Sequence, residues 1–210
     1  MLAAIIPAYN EEKTIQKVIN IVLGSNVEPQ NIFVINNNST DKTKELALAL
    51  GVNVINEKNS GYHYAINRGL REVELKGYGN FLIVDGDNEI SEEAILSLIE
   101  VSEKYDFIFG FRNSPKRIGE KIVNYFFYKI YGIKDILCGL KYGRVDCINA
   151  SAHLDYSIDS FKLEKLKQYN ILNLPVHINL RDETRLGSDL HVNFHLIKVL
   201  VKYFFKIMYR

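Results

Sequence analysis

The chain predicts an α/β fold: a mainly parallel sheet flanked by helices. Three observations predict it. Short, wholly apolar runs recur along the first half, as expected of strands buried on both faces. Stretches with helical apolar spacing alternate with them, the mark of successive strand–helix units. Clusters of Asn, Asp, Gly and Ser follow the runs, where open α/β sheets carry their turns and bind ligands.

Residues 3–6 read as the first strand, ended by Pro7. Asn10 reads as the N-cap of a helix with Glu11 and Glu12 in its first turn, Ile15, Val18, Ile19 and Val22 at helical spacing, and Gly24 at its end. Residues 32–35 form the second strand, and Ser39 or Asp41 caps a helix bearing Leu46, Ala49 and Leu50. Residues 52–55 are the third strand, 65–75 a helix, 81–84 the fourth strand, 91–101 a helix with Ile95, Leu98 and Ile99, and 107–109 the fifth strand. Beyond residue 115 the pattern is less regular. An aromatic-rich segment covers 118–131, strands are expected at 144–148 and 176–180, and a helix at 160–169. An amphipathic helix over 191–209 ends the chain.

A formal net charge of +1 over 210 residues argues against a nucleic-acid protein. Cys138 and Cys147 make neither a disulfide framework nor a zinc pattern and read as small buried thiols in a reducing compartment. No run approaches the ~20 apolar residues of a membrane span. The opening residues lack the basic lead of a signal peptide, so the cytoplasm is the expected location. His191 and His195 stand four apart, as zinc ligands can, but Val192-Asn193-Phe194 lacks a metalloprotease glutamate; a structural or interfacial role is preferred. Lys198, Lys202, Lys206 and Arg210 form a basic stripe on the greasy terminal helix. A membrane surface fits that stripe, and so does packing on the helix's own domain or on a dimer mate.

Asp85-Gly86-Asp87 is the most informative motif. Two carboxylates at the tip of a buried strand are costly without positive charge beside them. A divalent cation carrying a diphosphate supplies it, since Mg²⁺ commonly binds through one or two carboxylates plus substrate phosphates. Alone, the motif reads as a polar turn. Its neighbours decide against that. Ile5-Ile6-Pro7-Ala8-Tyr9-Asn10-Glu11-Glu12 opens the chain, Asn36-Asn37-Asn38-Ser39-Thr40-Asp41 follows the second strand, and Asn59-Ser60-Gly61, Ala65, Asn67 and Gly69 follow the third. Gly110-Phe111-Arg112 follows the fifth.

This ordered set resembles family 2 glycosyltransferases of the GT-A, Rossmann-like fold, which use nucleotide-sugar donors. Later, Asp135-Ile136-Leu137-Cys138-Gly139-Leu140 and Arg185-Leu186-Gly187-Ser188 resemble the dolichol-phosphate (polyprenyl-phosphate) mannosyltransferase-like branch. The resemblance implies one GT-A domain over 1–210, with 1–115 binding the nucleotide sugar and 116–210 facing the acceptor and membrane. It implies that Pro7, Ala8, Tyr9 and Glu11 line the nucleotide pocket, with Asn36, Asn38 and Gly61 beside them. Asn36 stands where the family usually has an aspartate, and Asn37-Asn38 where Asp-Gly is common, so the base is uridine or guanosine. Asp85 approaches the sugar or ribose, and Asp87 the metal, with Glu89 as a further metal contact. If that segment stays extended, the three acids share one side and suit octahedral Mg²⁺ or Mn²⁺.

Arg112 and Arg185 are expected to bind diphosphate or acceptor phosphate. Lys116, Arg117, Lys121 and Arg181 read as solvated cations. Asp189 stands where the branch usually has Lys, which weakens the Ser188 assignment. The implied reaction is metal-dependent transfer with inversion. Asp135 and Asp182 are the remaining candidates for a base. A lipid-phosphate acceptor needs none, and it places the aromatic segment and terminal helix in peripheral contact with the cytoplasmic membrane face. The alternatives are a soluble transferase acting on a hydroxyl or a small phosphorylated acid, and a catalytically silent nucleotide-sugar-binding protein.

Overall fold

A computed structural model describes residues 1–113, 115, 117–148, 166, 168–179, 196, 198, 200 and 201. Its strands are β1 (Leu2–Ala8), β2 (Ile32–Asn36), β3 (Asn53–Asn56), β4 (Asn80–Val84), β5 (Phe107–Arg112), β6 (Leu140–Arg144) and β7 (Ile171–Val176). The helices are α1 (Ile15–Gly24), α2 (Thr43–Leu48), α3 (Tyr62–Leu75), α4 (Glu92–Val101) and α5 (Ile118–Tyr131). The seven strands form one sheet in the order β3-β2-β1-β4-β6-β5-β7. Pairing is parallel except where β6 runs antiparallel between β4 and β5.

Alternation along the central strands feeds two core layers. Ile5, Phe33, Phe81, Phe107 and Phe109 pack under α3 and α5 with Leu70 and Phe127. Ile6, Val34, Leu82 and Ile108 face the other way, against Val18, Ile95 and Leu98 of α1 and α4. This two-sided burial explains the continuous apolar runs of the first half.

The first-half elements fall where the sequence places them, with adjustments at their ends. Pro7 does not end β1, which continues through Ala8, although pairing with β4 stops at Ile5↔Ile83. Asn10 is not a helix cap: it takes φ 55, and α1 begins only at Ile15. Asn tolerates this left-handed backbone better than most residues. Asp41 does serve α2, its Oδ1 accepting the Thr43 N–H at 3.0 Å. Ser91 caps α4 by accepting the Ala94 N–H at 3.3 Å, with Glu92 and Glu93 in the first turn.

The second half departs more. The strand expected at 144–148 lies at Leu140–Arg144, followed by a 3₁₀ turn over Val145–Cys147. The one expected at 176–180 is Ile171–Val176, and beyond it, among the described residues, Ile178 forms a single bridge to Ile90. The expected 160–169 helix and most of the terminal helix lie outside the described residues. Leu196, Lys198, Leu200 and Val201 are helical; Leu200 is buried in the core layer under α3 and α5, and Leu196 packs against it.

Candidate active site

The parallel strands β1, β2, β3 and β4 end along one edge, and their loops are bonded to one another there. The Gly86 N–H donates to the Pro7 carbonyl at 3.1 Å, and the Asn37 N–H to the Ala8 carbonyl at 2.9 Å. A Cβ on Gly86 would stand 3.0 Å from that Pro7 oxygen, so this close approach needs glycine. The Thr14 hydroxyl stands 2.8 Å from the Gly86 carbonyl and 3.0 Å from the Glu11 carboxylate. Glu11 is buried and its N–H donates to the Thr43 hydroxyl at 2.7 Å, whereas Tyr9 is 53 % exposed at the rim. The opening loop and the Asp85-Gly86-Asp87 turn are therefore one assembly.

The three asparagines fasten the second loop to the third. Asn36 donates to the Asn56 side chain at 3.0 Å and accepts the Ser39 N–H at 3.3 Å. Asn37 donates to the Asn59 carbonyl at 2.6 Å and accepts the Gly61 N–H at 2.8 Å. Asn38, at φ 61, donates to the Lys58 carbonyl at 2.6 Å. An amide both donates and accepts, which a carboxylate could not do at Asn36 and Asn37. Gly61 takes φ 137 at the start of α3, and the next residue, Tyr62, donates its hydroxyl to Asp85 Oδ1 at 2.8 Å.

The acidic segment does not stay extended. Gly86 and Asp87 form a turn, Asn88 takes φ 58, and Asp87 Oδ1 accepts the Glu89 N–H at 3.0 Å. The Glu89 carbonyl accepts the Asn179 N–H at 2.7 Å, so the chain leaving β7 clamps this loop. Among the described residues no group of three or more His, Cys, Asp and Glu is placed to hold a metal ion. Asp85 is pushed up to about 7, first by burial and then by the neighbouring Asp87 charge; Lys141 and the Tyr62 hydroxyl pull it back, and Glu89 adds to the rise. Negative charge is thus in excess at the β4 tip.

Next door, the β5 tip is closed. Arg112 Nε and Nη2 donate to Asp135 at 2.7 and 3.1 Å, and Nη1 lies 3.4 Å from Glu120. Asn124 of α5 also donates to Asp135, at 2.8 Å, and Arg117 pairs with Glu120 at 3.1 Å. Burial alone would raise the Asp135 carboxyl, but the Arg112 guanidinium and the Asn124 amide hold it below the usual carboxylate range. Asp135 is 1 % exposed and fully engaged, so it is a structural anchor and not a base. Arg112 keeps 17 % of its side chain exposed. Arg185, Arg181 and Asp182 lie outside the described residues.

Sequence reasoning missed three participants. Tyr62 contacts Asp85 directly, and Thr14 joins two loops. Lys141 of β6 is 6 % exposed, donates to the Cys138 carbonyl, and is held below the ordinary lysine range by burial. A lone lysine inside Leu140-Lys141-Tyr142 was the available signal. Gly139 matters for a reason invisible in sequence: a Cβ there would stand 2.0 Å from Asp85 Oδ2.

The family model for glycosyl transferase family 2 matches residues 3–158. Protein RfbJ of Shigella flexneri is 34 % identical over 113 residues, spanning 53 % of this chain and 84 % of that one. Glycosyltransferase AglJ of Haloferax volcanii is 31 % identical over 147 residues; the match spans 64 % of this chain and only 47 % of AglJ. Among solved structures, glucosyl-3-phosphoglycerate synthase from Mycobacterium tuberculosis in complex with uridine diphosphate superposes with a TM-score of 0.70 at 17 % identity, over 96 % of this chain and 79 % of that one. The same enzyme with Mn²⁺, uridine-diphosphate-glucose and glycerol 3-phosphate gives 0.66 at 17 % identity, over 96 % and 79 % of the two chains. That likeness concerns the fold. No helix among the described residues is long and apolar enough to cross a membrane.

Proposed function

We propose, on the premise that the chain belongs to glycosyltransferase family 2 and has the GT-A fold, that it moves a sugar with inversion from a nucleoside-diphosphate sugar to a polyprenyl-phosphate acceptor. The observation that carries the donor assignment is the bonded cleft edge, where Asp85-Gly86-Asp87 is tied through Thr14 and Pro7 to the opening loop. Pro7, Ala8, Tyr9 and Glu11 form one wall for the nucleoside, and Asn36, Asn38 and Gly61 the other. Uridine or guanosine suits this wall.

The chemistry of the β4 tip fits a divalent ion. Carboxylates crowd there, yet too few ligands converge for an all-protein cage, so donor phosphate oxygens would complete the sphere. Asp87, with Glu89, would hold Mn²⁺ or Mg²⁺; the solved neighbour with Mn²⁺ and uridine-diphosphate-glucose supports Mn²⁺. Such an ion offsets charge on the departing diphosphate. Asp85 accepts a hydrogen bond from a donor hydroxyl. Arg112, held in orientation by Asp135 and Glu120 and 17 % exposed, is assigned to the acceptor phosphate, as is Arg185 from its sequence motif.

The exposed face of α5 supports a lipid-borne acceptor. Ile118, Ile122, Tyr125 and Tyr128 are 69, 36, 59 and 51 % exposed, and Lys121 and Lys129 stand among them, with no acid on that face. Tyr rings and lysine stems suit an anionic bilayer surface. The soluble alternative draws on the solved neighbour, whose complexes include phosphoglyceric acid.

The test is release of UDP or GDP from a panel of nucleotide sugars with Mn²⁺, Mg²⁺ or EDTA, using polyprenyl phosphate in vesicles or phosphoglyceric acid as acceptor. Metal-dependent release raised by the lipid supports the proposal. Release raised only by the soluble acid replaces the acceptor, and no release with any donor removes the enzymatic reading.

A further inference from the structure

Lys141 is the group that this chemistry leaves unused. It sits on β6, the antiparallel strand between β4 and β5, paired with Ile83 on one side and Phe109 on the other. It is 6 % exposed. An ammonium buried mid-sheet is costly without negative charge nearby, and an apolar side chain would pack there at lower cost. The register shows where that charge lies. Residues paired across a ladder stand on the same sheet face, so Lys141 shares a face with Ile83 and, two residues on, with Asp85.

The Asp85 carboxylate is held from two sides. Oδ1 accepts the Tyr62 hydroxyl at 2.8 Å. Oδ2 leans over Gly139, where a Cβ would stand 2.0 Å away, two residues before Lys141. The Lys141 ammonium donates to the Cys138 carbonyl, one residue before Gly139. Burial lowers the Lys141 ammonium from the ordinary lysine range, and the charges of Cys138, Asp85 and Asp135 pull it back up.

We infer that Lys141 is a positioning residue for the transfer reaction: its buried ammonium is the fixed counter-charge that draws Asp85 onto the Tyr62–Gly139 side, leaving Asp87 to the cation. The inference rests on the donor-site reading above. Asp85 and Asp87 thereby take different tasks although they are near neighbours in the chain. The sorting depends on a charge that is almost wholly buried.

The experiment uses the full chain with Lys141→Met, Asp85→Asn and the double variant, each checked by thermal melting. Mn²⁺ binding to the protein with UDP or GDP present, measured against the nucleotide alone by the electron paramagnetic resonance of free Mn²⁺, is the readout independent of turnover. Without its counter-charge, Asp85 joins Asp87 in drawing the ion, so Lys141→Met binds Mn²⁺ about tenfold more tightly. Turnover in the same variant falls about tenfold, with the donor KM changed much less. In the Asp85→Asn background, Lys141→Met changes neither quantity appreciably, because the two act as a pair. The double variant carries neither buried charge and covers the case in which Lys141→Met alone fails to fold. Unchanged Mn²⁺ affinity in folded Lys141→Met, or an undiminished effect of Lys141→Met in the Asp85→Asn background, overturns the inference. A wild-type chain that adds no Mn²⁺ binding to that of UDP or GDP alone overturns the donor-site reading beneath it.

Discussion

At the tip of β4, Asp85 lies beside Asp87, and among the described residues the Lys141 ammonium and the Tyr62 hydroxyl offset it; its carboxyl is pushed up to about 7 by burial and the acid next door. At the tip of β5, Arg112 is gripped by Asp135 and steadied by Glu120, while Asn124 from α5 occupies the same carboxylate. Both tips bury charge at one edge of one sheet. The first leaves anionic charge in excess, which favours a bound cation. The second is matched within itself, which aims a guanidinium without leaving a carboxylate for chemistry. Counting acids near a strand end therefore says little until their partners are known.

The contrast breaks most sharply at Asp87. Asp87→Ala is expected to lower nucleotide release by at least about a hundredfold while leaving the melting temperature near wild type. Retained turnover would show that the β4 tip holds no essential ion.

Asp135→Ala tests the matched side, and there the loss should be in folding. Removing one partner of a buried pair strands the other, at a cost of about 3–5 kcal/mol in denaturant unfolding. The pH dependence has a definite sign. The folded-state pKa of Asp135 lies below its unfolded value of ~3.9, so its contribution is complete above that value and is lost as pH falls through the folded pKa. Wild type should therefore lose stability below about pH 4 more steeply than Asp135→Asn, as read by urea melts at a series of pH values.

Gly139→Ala sharpens the comparison from between the two tips. The new Cβ would collide with the Asp85 carboxylate, 2.0 Å away, and the side chain must turn aside. Turnover should fall on the order of tenfold, for a stability loss of about 1–3 kcal/mol. Tyr62→Phe should have the smallest effect: Tyr62 is 42 % exposed, and losing its hydrogen bond to Asp85 should cost a few-fold in donor KM and little in melting temperature.

Much of the donor half was legible because its signals are local. Apolar runs such as Phe81-Leu82-Ile83-Val84 carry their own evidence for burial on two faces, and Ser91 followed by Glu92 and Glu93 announces a helix start. Asn10 misled for a physical reason: the residue that caps helices also tolerates φ 55, and here its amide oxygen accepts the Thr40 N–H at 2.8 Å across the cleft edge. The second half hides its strands. β6 contains Lys141 and Gly143, poor strand residues in isolation, yet a Cβ at Gly143 would meet Phe107 at 2.3 Å. β7 contains Pro175, which an edge strand tolerates. Such choices answer to neighbours far along the chain, as does the tie between Arg112 and Asp135.

Strand β6 also governs how this protein could be taken apart. It reaches back from position 140 to bond with β4 and β5 together. A fragment cut just after Arg112 would keep the five earlier strands but expose two raw hydrogen-bonding borders in its middle, an open invitation to aggregate. Grafting the sugar-nucleotide portion onto another catalyst would thus require carrying this late-arriving segment along with it.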